Sequence, residues 1–263
     1  MDSVRNPFAP GAGSRPPELA GRETVLKDAE TAIQRALLGK SIRSQMLLGL
    51  RGVGKTVLLN KIEEMAQSAG HVTSAIEAPE GKALGELLAP KVNQALRKLS
   101  ASEEAKAKAH QALRALRSFT SAFKLSYGDV SISVDPEAGV ADSGSMEADL
   151  PELFVRVGEA AKAAGKAWTL LIDEVQYLRS DDLAALIVSL HKANQKNLPI
   201  LFFGAGLPQV AALSGEAKSY AERLFHYPAI GALDAEDART AIRQPIEDEG
   251  ESIEDKALDE ILA

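Results

Sequence analysis

Apolar positions along this chain recur at two periods, one helical and one extended, and the two alternate. From Glu23 to Leu38 the residues Val25, Leu26, Ala29, Ile33, Ala36 and Leu37 follow helical spacing, with Gly39 placed to end the helix. Gln45-Met46-Leu47-Leu48 is a short apolar run that predicts a strand. A glycine-rich turn follows it, and Thr56 to Gln67 returns to helical spacing through Leu58, Leu59, Ile62 and Met65. Val72 to Ile76 predicts a second strand. Leu84, Leu87, Leu88, Val92, Leu96 and Leu99 then give the next helix a single apolar stripe. An alanine-rich helix over about 103–117 comes next. Phe123, Leu125 and Tyr127, then Val130, Ile132 and Val134, alternate on either side of Gly128-Asp129, the pattern of a β-hairpin over 123–134. Beyond a loop at 135–144 the chain predicts a helix over 153–164, a buried strand over 168–172, a helix over 181–195 and a strand over 199–203. Two short helical pieces, a strand-like Phe225-His226-Tyr227-Pro228-Ala229-Ile230 and acidic helices near 235–243 and 254–262 complete it.

Strands that alternate with helices predict a mostly parallel sheet covered on both faces, a three-layer α/β architecture. No internal repeat interrupts it. Residues 1–22 read differently: Pro7, Pro10, Pro16 and Pro17 with Gly11, Gly13 and Gly21 forbid helix and predict an extended arm. The expected organisation is that arm, a core over 23–232 and a smaller helical segment over 233–263.

With 263 residues, 45% hydrophobic and 25% charged, the chain has the composition of a globular protein. Zero cysteines exclude a disulfide framework, a thiolate metal site and a cysteine nucleophile together. The start, Met-Asp-Ser-Val-Arg-Asn-Pro, lacks the apolar core of a signal peptide, and no run approaches the roughly 18 apolar residues of a membrane span. A cytoplasmic protein without a membrane partner is therefore expected. The net charge of −7 argues against a general nucleic-acid binder. Charge is nonetheless uneven: nine lysines and arginines between Lys82 and Lys124 stand against Glu86, Glu103 and Glu104. That basic helical segment, 82–124, is where nucleic acid or an acidic partner would dock, although solvated helix faces also look like this.

The most informative stretch is Gly49-Leu50-Arg51-Gly52-Val53-Gly54-Lys55-Thr56, which satisfies G-x-x-x-x-G-K-[ST] between a predicted strand and a predicted helix. Glycines at 49, 52 and 54 let successive backbone N–H groups turn inward around a phosphate. The following helix adds its unpaired N–H groups and the positive end of its dipole. Lys55 would reach the β- and γ-phosphates of a nucleotide, and Thr56 would ligate magnesium. Further on, Trp168-Thr169-Leu170-Leu171-Ile172-Asp173-Glu174 ends a buried strand in two acids, at the edge where open α/β sheets bind ligands. Asp173 would hold the magnesium through water, and Glu174 would orient the attacking water.

With both stretches in place, the chain from about Asn6 to Pro245 resembles the AAA+ P-loop ATPases, in the branch near origin-recognition-type and STAND ATPases. The most specific carriers are Gly49–Thr56 and Leu171-Ile172-Asp173-Glu174-Val175-Gln176-Tyr177-Leu178. Leu19-Ala20-Gly21-Arg22-Glu23 is similar to the N-terminal box that packs against adenine in that family. The resemblance thus implies ATP held by Gly21, Arg22, Gly49, Gly52, Val53, Gly54, Lys55, Thr56 and Val57, with Mg2+ held by Thr56 and Asp173. It implies catalytic roles for Lys55 and Glu174, and for Arg223 as an arginine finger that acts in a neighbouring copy. Two departures stand out. Ile200-Leu201-Phe202-Phe203 runs into Gly204-Ala205-Gly206, where the family places a polar sensor, and the segment 233–263 resembles only the start of the helical lid, a truncated lid whose second sensor arginine is expected to be missing or supplied from elsewhere.

The expected function is ATP hydrolysis coupled to conformational change or to remodelling of a partner, in a homo-oligomer or with a protein partner. The missing polar sensor and short lid favour an alternative, a slow or non-hydrolysing STAND-type switch. The basic segment favours another, a DNA-associated ATPase of the origin-recognition type. His71, His110, His191 and His226 have no metal-ligand spacing.

Overall fold

The structure, a computed structural model, describes residues 6–8, 19–40, 43–100, 102–125 and 134–262. Helix α1 (Glu23–Leu37) leads to strand β1 (Ser44–Leu48), helix α2 (Lys55–Ser68) and strand β2 (Val72–Glu77). Helices α3 (Leu84–Leu99), α4 (Glu103–Ala122) and α5 (Met146–Ala163) precede β3 (Trp168–Asp173). A single 3-10 turn (Val175–Tyr177), α6 (Ser180–Gln195) and β4 (Ile200–Gly206) follow. The chain closes with α7 (Val210–Ala217), α8 (Ala221–Leu224), β5 (Phe225–His226), α9 (Ala235–Asp248) and α10 (Asp255–Leu262).

The five strands form one sheet in the order β2-β3-β4-β1-β5, and every pair is parallel. Side chains on successive strand positions point to opposite faces, so β1 to β4 each feed two cores, whereas the short β5 gives only Phe225, to the larger one. On β3, Trp168, Leu170 and Ile172 enter the larger core with Leu88 of α3, Phe154 of α5 and Leu186 of α6. Leu171 turns to the other face and meets Leu58 and Ile62 of α2 and Ile33 of α1. These are the three layers that the alternation of elements predicts. Helix α4 lies outside the sheet, packed on α3 and α5.

Three local features differ from the sequence expectation. Helix α4 runs on to Ala122, so Phe123 is its cap and not the start of a strand; its N–H still donates to Phe119 O at 3.1 Å. The remaining hairpin positions, 126–133, and most of the N-terminal arm lie outside the described residues. Helix α5 begins at Met146, inside what reads as a loop-to-helix boundary, because buried Asp149 accepts from Ser143 and Gly144 N–H at 3.1 and 2.8 Å and orders the entry. The strand-like 225–230 is paired only at Phe225–His226 and through one bridge between Leu48 and Ala229.

Register decides what lies together. Leu48 is opposite Gly206, Ile172 opposite Gly204 and Glu77 opposite Asp173, so the loop after β1 and the acids after β3 emerge from one edge with the end of β4 between them. Among the described residues no helix is long and apolar enough to cross a membrane.

Candidate functional site

The loop from Gly49 to Gly54 joins the buried end of β1 to the first turn of α2. Gly54, the residue before the helix, has φ +90°, a left-handed conformation that a side chain strains, and it aims the first N–H groups of α2 back into the loop. Gly49 is held by a different constraint: a Cβ there would stand 2.2 Å from Ile230 O. Its N–H donates to Gly206 O at 3.1 Å, which fastens the start of the loop to the end of β4.

Lys55 is buried, and its ammonium donates to Gly49 O at 3.0 Å and to Leu50 O at 2.7 Å. The charge therefore sits inside the curve of the loop. Thr56 Oγ1 donates to Asp173 Oδ2 at 2.6 Å, so residues on α2 and β3 meet as a hydroxyl–carboxylate pair. Asp173 Oδ1 accepts from the Glu174 N–H at 2.8 Å. Glu174 itself has φ 56° and ψ 41°, an uncommon conformation for a non-glycine residue that turns its side chain out of the strand direction. Arg51, in the loop, donates to Tyr177 Oη at 2.9 Å and closes the mouth on the side of the 3-10 turn.

On the other flank a cleft of about 480 Å³ is lined by Phe8, Leu19, Arg22, Val53, Val57 and Leu233, among others. Arg22 organises it: its guanidinium donates to Gly231 O at 2.6 Å and to Val53 O at 3.4 Å, tying the start of α1 to the loop and to the segment that enters α9. Gly21 lies against α9, where a Cβ would meet Asp237 Oδ2 at 2.3 Å. Desolvation there, then the like charges of Asp234, Glu23 and Glu236, push the Asp237 carboxyl above the ordinary carboxylate value, against the lowering influence of Arg22. Helices α9 and α10 pack on each other and are joined by the ion pairs Arg239–Asp259 and Arg243–Asp255.

The sequence-derived residues Gly21, Arg22, Gly49, Gly52, Val53, Gly54, Lys55, Thr56, Val57, Asp173 and Glu174 thus surround one edge of the sheet. Arg223 does not join them. It is exposed on α8, which leads into the opening end of β5, and Phe225 there pairs with Ser44 at the start of β1. Sequence reading missed the contact of Gln176, whose Oε1 accepts the Leu207 N–H at 3.1 Å, the Arg51–Tyr177 contact and Arg43, whose guanidinium donates to Glu222 O at 2.8 Å and Phe225 O at 3.0 Å. No spacing rule announces contacts between such distant positions. Among the described residues no cluster of three His, Asp or Glu side chains is arranged to hold a metal ion by itself.

The protein family described as AAA ATPase domain matches residues 18–203 of the chain. Among solved structures, Cdc6p from Pyrobaculum aerophilum is similar with a TM-score of 0.54 at 14% identity, over 91% of this chain and 52% of that one. The Aeropyrum pernix Orc1 protein, solved in complex with DNA, gives a TM-score of 0.43 at 15% identity, over 88% of this chain and 50% of that one. The chain therefore spans about half the length of these two proteins. No curated protein matches the sequence.

Proposed function

The chain belongs to the AAA ATPase domain family, and from that premise we propose that it binds Mg·ATP at the Gly49–Thr56 loop and hydrolyses it by in-line attack of water on the γ-phosphate. The observation that carries this reading is the 2.6 Å contact between Thr56 Oγ1 and Asp173 Oδ2. Two hard oxygen donors stand side by side at the end of a phosphate-type loop, and magnesium is commonly held by one or two such groups plus phosphate oxygens and water. The residues fit the ion; when bound, it neutralises charge that develops on the phosphates.

The protein's own groups divide the remaining work. Backbone N–H groups of the loop and of the first turn of α2 hold the phosphates. Lys55 leaves the Gly49 and Leu50 carbonyls to meet the β- and γ-oxygens. Glu174 accepts a hydrogen bond from the attacking water and orients it in line. The adenine base lies in the cleft bounded by Arg22, Val53 and Val57, with Gly21 next to it in the chain and packed against Asp237. In this organisation Leu19, Ala20 and Arg22 border the base, 23–232 form the ATPase core and α9 with α10 act as a lid. Arg223 supplies its charge to the site of a neighbouring copy, which makes the active form a homo-oligomer.

A second reading is favoured by one observation. The end of β4, Gly204-Ala205-Gly206, offers no polar side chain to the γ-phosphate region. A slow or silent nucleotide switch, in which bound ATP holds one conformation for a partner, fits that feature.

Two variants separate these readings. Lys55→Ala abolishes tight ATP binding, because the charge inside the loop is lost, and unchanged affinity would remove the phosphate-loop assignment. Glu174→Gln retains ATP binding and lowers turnover by about 10²–10⁴-fold on the hydrolysis reading, to a residual rate that single-turnover assays still read. On the switch reading it changes neither by much, since the wild-type rate is already low.

A further inference from the structure

Gln176 follows the acid pair by two residues, in the middle of the 3-10 turn, and its amide spans a gap. Its Oε1 accepts the Leu207 N–H at 3.1 Å, just beyond β4, and its Nε2 donates to Glu174 Oε2. A backbone N–H can only donate, so Leu207 fixes which end of the amide faces it, and the NH2 is thereby turned toward the Glu174 carboxylate. The peptide group concerned is Gly206–Leu207, and its carbonyl already accepts the Gly49 N–H of the loop at 3.1 Å. One peptide unit thus receives the loop on one side and, through Gln176, holds Glu174 on the other. The absence of a side chain at 206 is part of this arrangement, since a Cβ would stand 2.9 Å from Gln176 Oε1 and 2.8 Å from Val210 Cγ2.

We propose that Gln176 is a positioning residue for hydrolysis: with the Gly206–Leu207 peptide it holds the Glu174 carboxylate in register with the phosphate loop, in the place where β4 carries no polar side chain. The proposal rests on the reading of Glu174 as the residue that orients water. Glu174 occupies a left-handed backbone conformation, and its neighbour Asp173 is bound to Thr56. An unheld carboxylate there would sample rotamers that point away from the γ-phosphate. Fixing one oxygen by the Gln176 amide leaves the other to accept from water, and small misplacements of a reacting group are costly in rate.

The test is a double-mutant cycle of Gln176→Met, which keeps the side-chain length and removes both amide contacts, with Glu174→Gln. Gln176→Met lowers kcat roughly ten- to a hundredfold, with ATP affinity, read by fluorescent-nucleotide titration, unchanged. In the Glu174→Gln background it costs nothing further, because it acts only through Glu174. Amide exchange at Leu207 speeds up in Gln176→Met, and Gly206→Ala, which crowds the amide from the other side, reproduces the loss of kcat. Equal penalties in the two backgrounds, or a loss of ATP affinity in step with kcat, would overturn the proposal alone. A rate untouched by Glu174→Gln would overturn the hydrolysis reading and the proposal together.

Discussion

His71 is buried where α1 meets the start of β2, with Nε2 3.1 Å from Ile33 O and Nδ1 2.7 Å from Thr169 Oγ1. The carbonyl can only accept, so the proton sits on Nε2 and the Thr169 hydroxyl donates to Nδ1. Desolvation lowers the pKa from the ordinary 6.5, opposed in part by the bond to Ile33. The folded protein therefore keeps this ring neutral at a pH where the unfolded chain already binds a proton. Its contribution to stability is complete above about pH 6.5 and is lost as pH falls below that value toward the folded-state pKa, with a slope of at most about 1.4 kcal/mol per pH unit. Urea unfolding of wild type and His71→Gln at several pH values between neutrality and pH 5 checks this. The variant is less stable by about 1–3 kcal/mol at neutral pH but has a shallower pH dependence. Curves that run parallel would show that His71 does not titrate with folding.

At the scale of elements, the phosphate loop, the acid pair and the alternation of strands and helices were legible because each is a local pattern of spacing or residue type. The end of α4 was not. Ser118 and Thr120 look like polar termination, yet both are buried: Ser118 exchanges hydrogen bonds with the Glu137 backbone, and Thr120 Oγ1 donates to Arg117 O at 2.9 Å. Periodicity sees polarity and cannot see the partner. The same limit hid Gln176 and Arg43, whose roles come from backbone groups brought close only by folding. It left Arg22 half legible: its neighbourhood resembles a nucleotide-side box, but the bonds to Gly231 and Val53 are a tertiary fact. Those bonds make Arg22 the tie between α1, the phosphate loop and the approach to α9. Arg22→Ala therefore weakens ATP binding by about tenfold, the scale of one charged hydrogen bond, and leaves the unfolding midpoint little changed because the side chain is only half-buried. Calorimetric titration with ATP and a thermal melt of the same sample decide it. A large drop in melting temperature with normal affinity would make Arg22 a structural tie and nothing more.

For the whole molecule, the parallel sheet has a directional consequence. The phosphate loop leaves the far end of β1 after Leu48, whereas Arg223 lies just before β5, whose first residue pairs with Ser44 at the near end. The four residue steps from Ser44 to Leu48 correspond to roughly 13 Å of strand. Arg223 is thus carried away from the loop of its own chain, and a finger placed there serves a site only when copies meet. Arg43 supports this placement, since its guanidinium holds the Glu222 and Phe225 carbonyls around the end of α8. ATPase rate per chain should therefore rise with protein concentration. Arg223→Ala removes the rise without changing ATP affinity at low concentration, because a finger stabilises the transition state more than it stabilises bound ATP. Arg43→Ala diminishes the rise without abolishing it, since α8 loses a clamp but keeps Arg223. Steady-state rates over a wide dilution series, paired with sedimentation in the presence of ATP, provide the measurement. A rate per chain that is independent of concentration and indifferent to Arg223→Ala would return Arg223 to the status of a solvated surface charge.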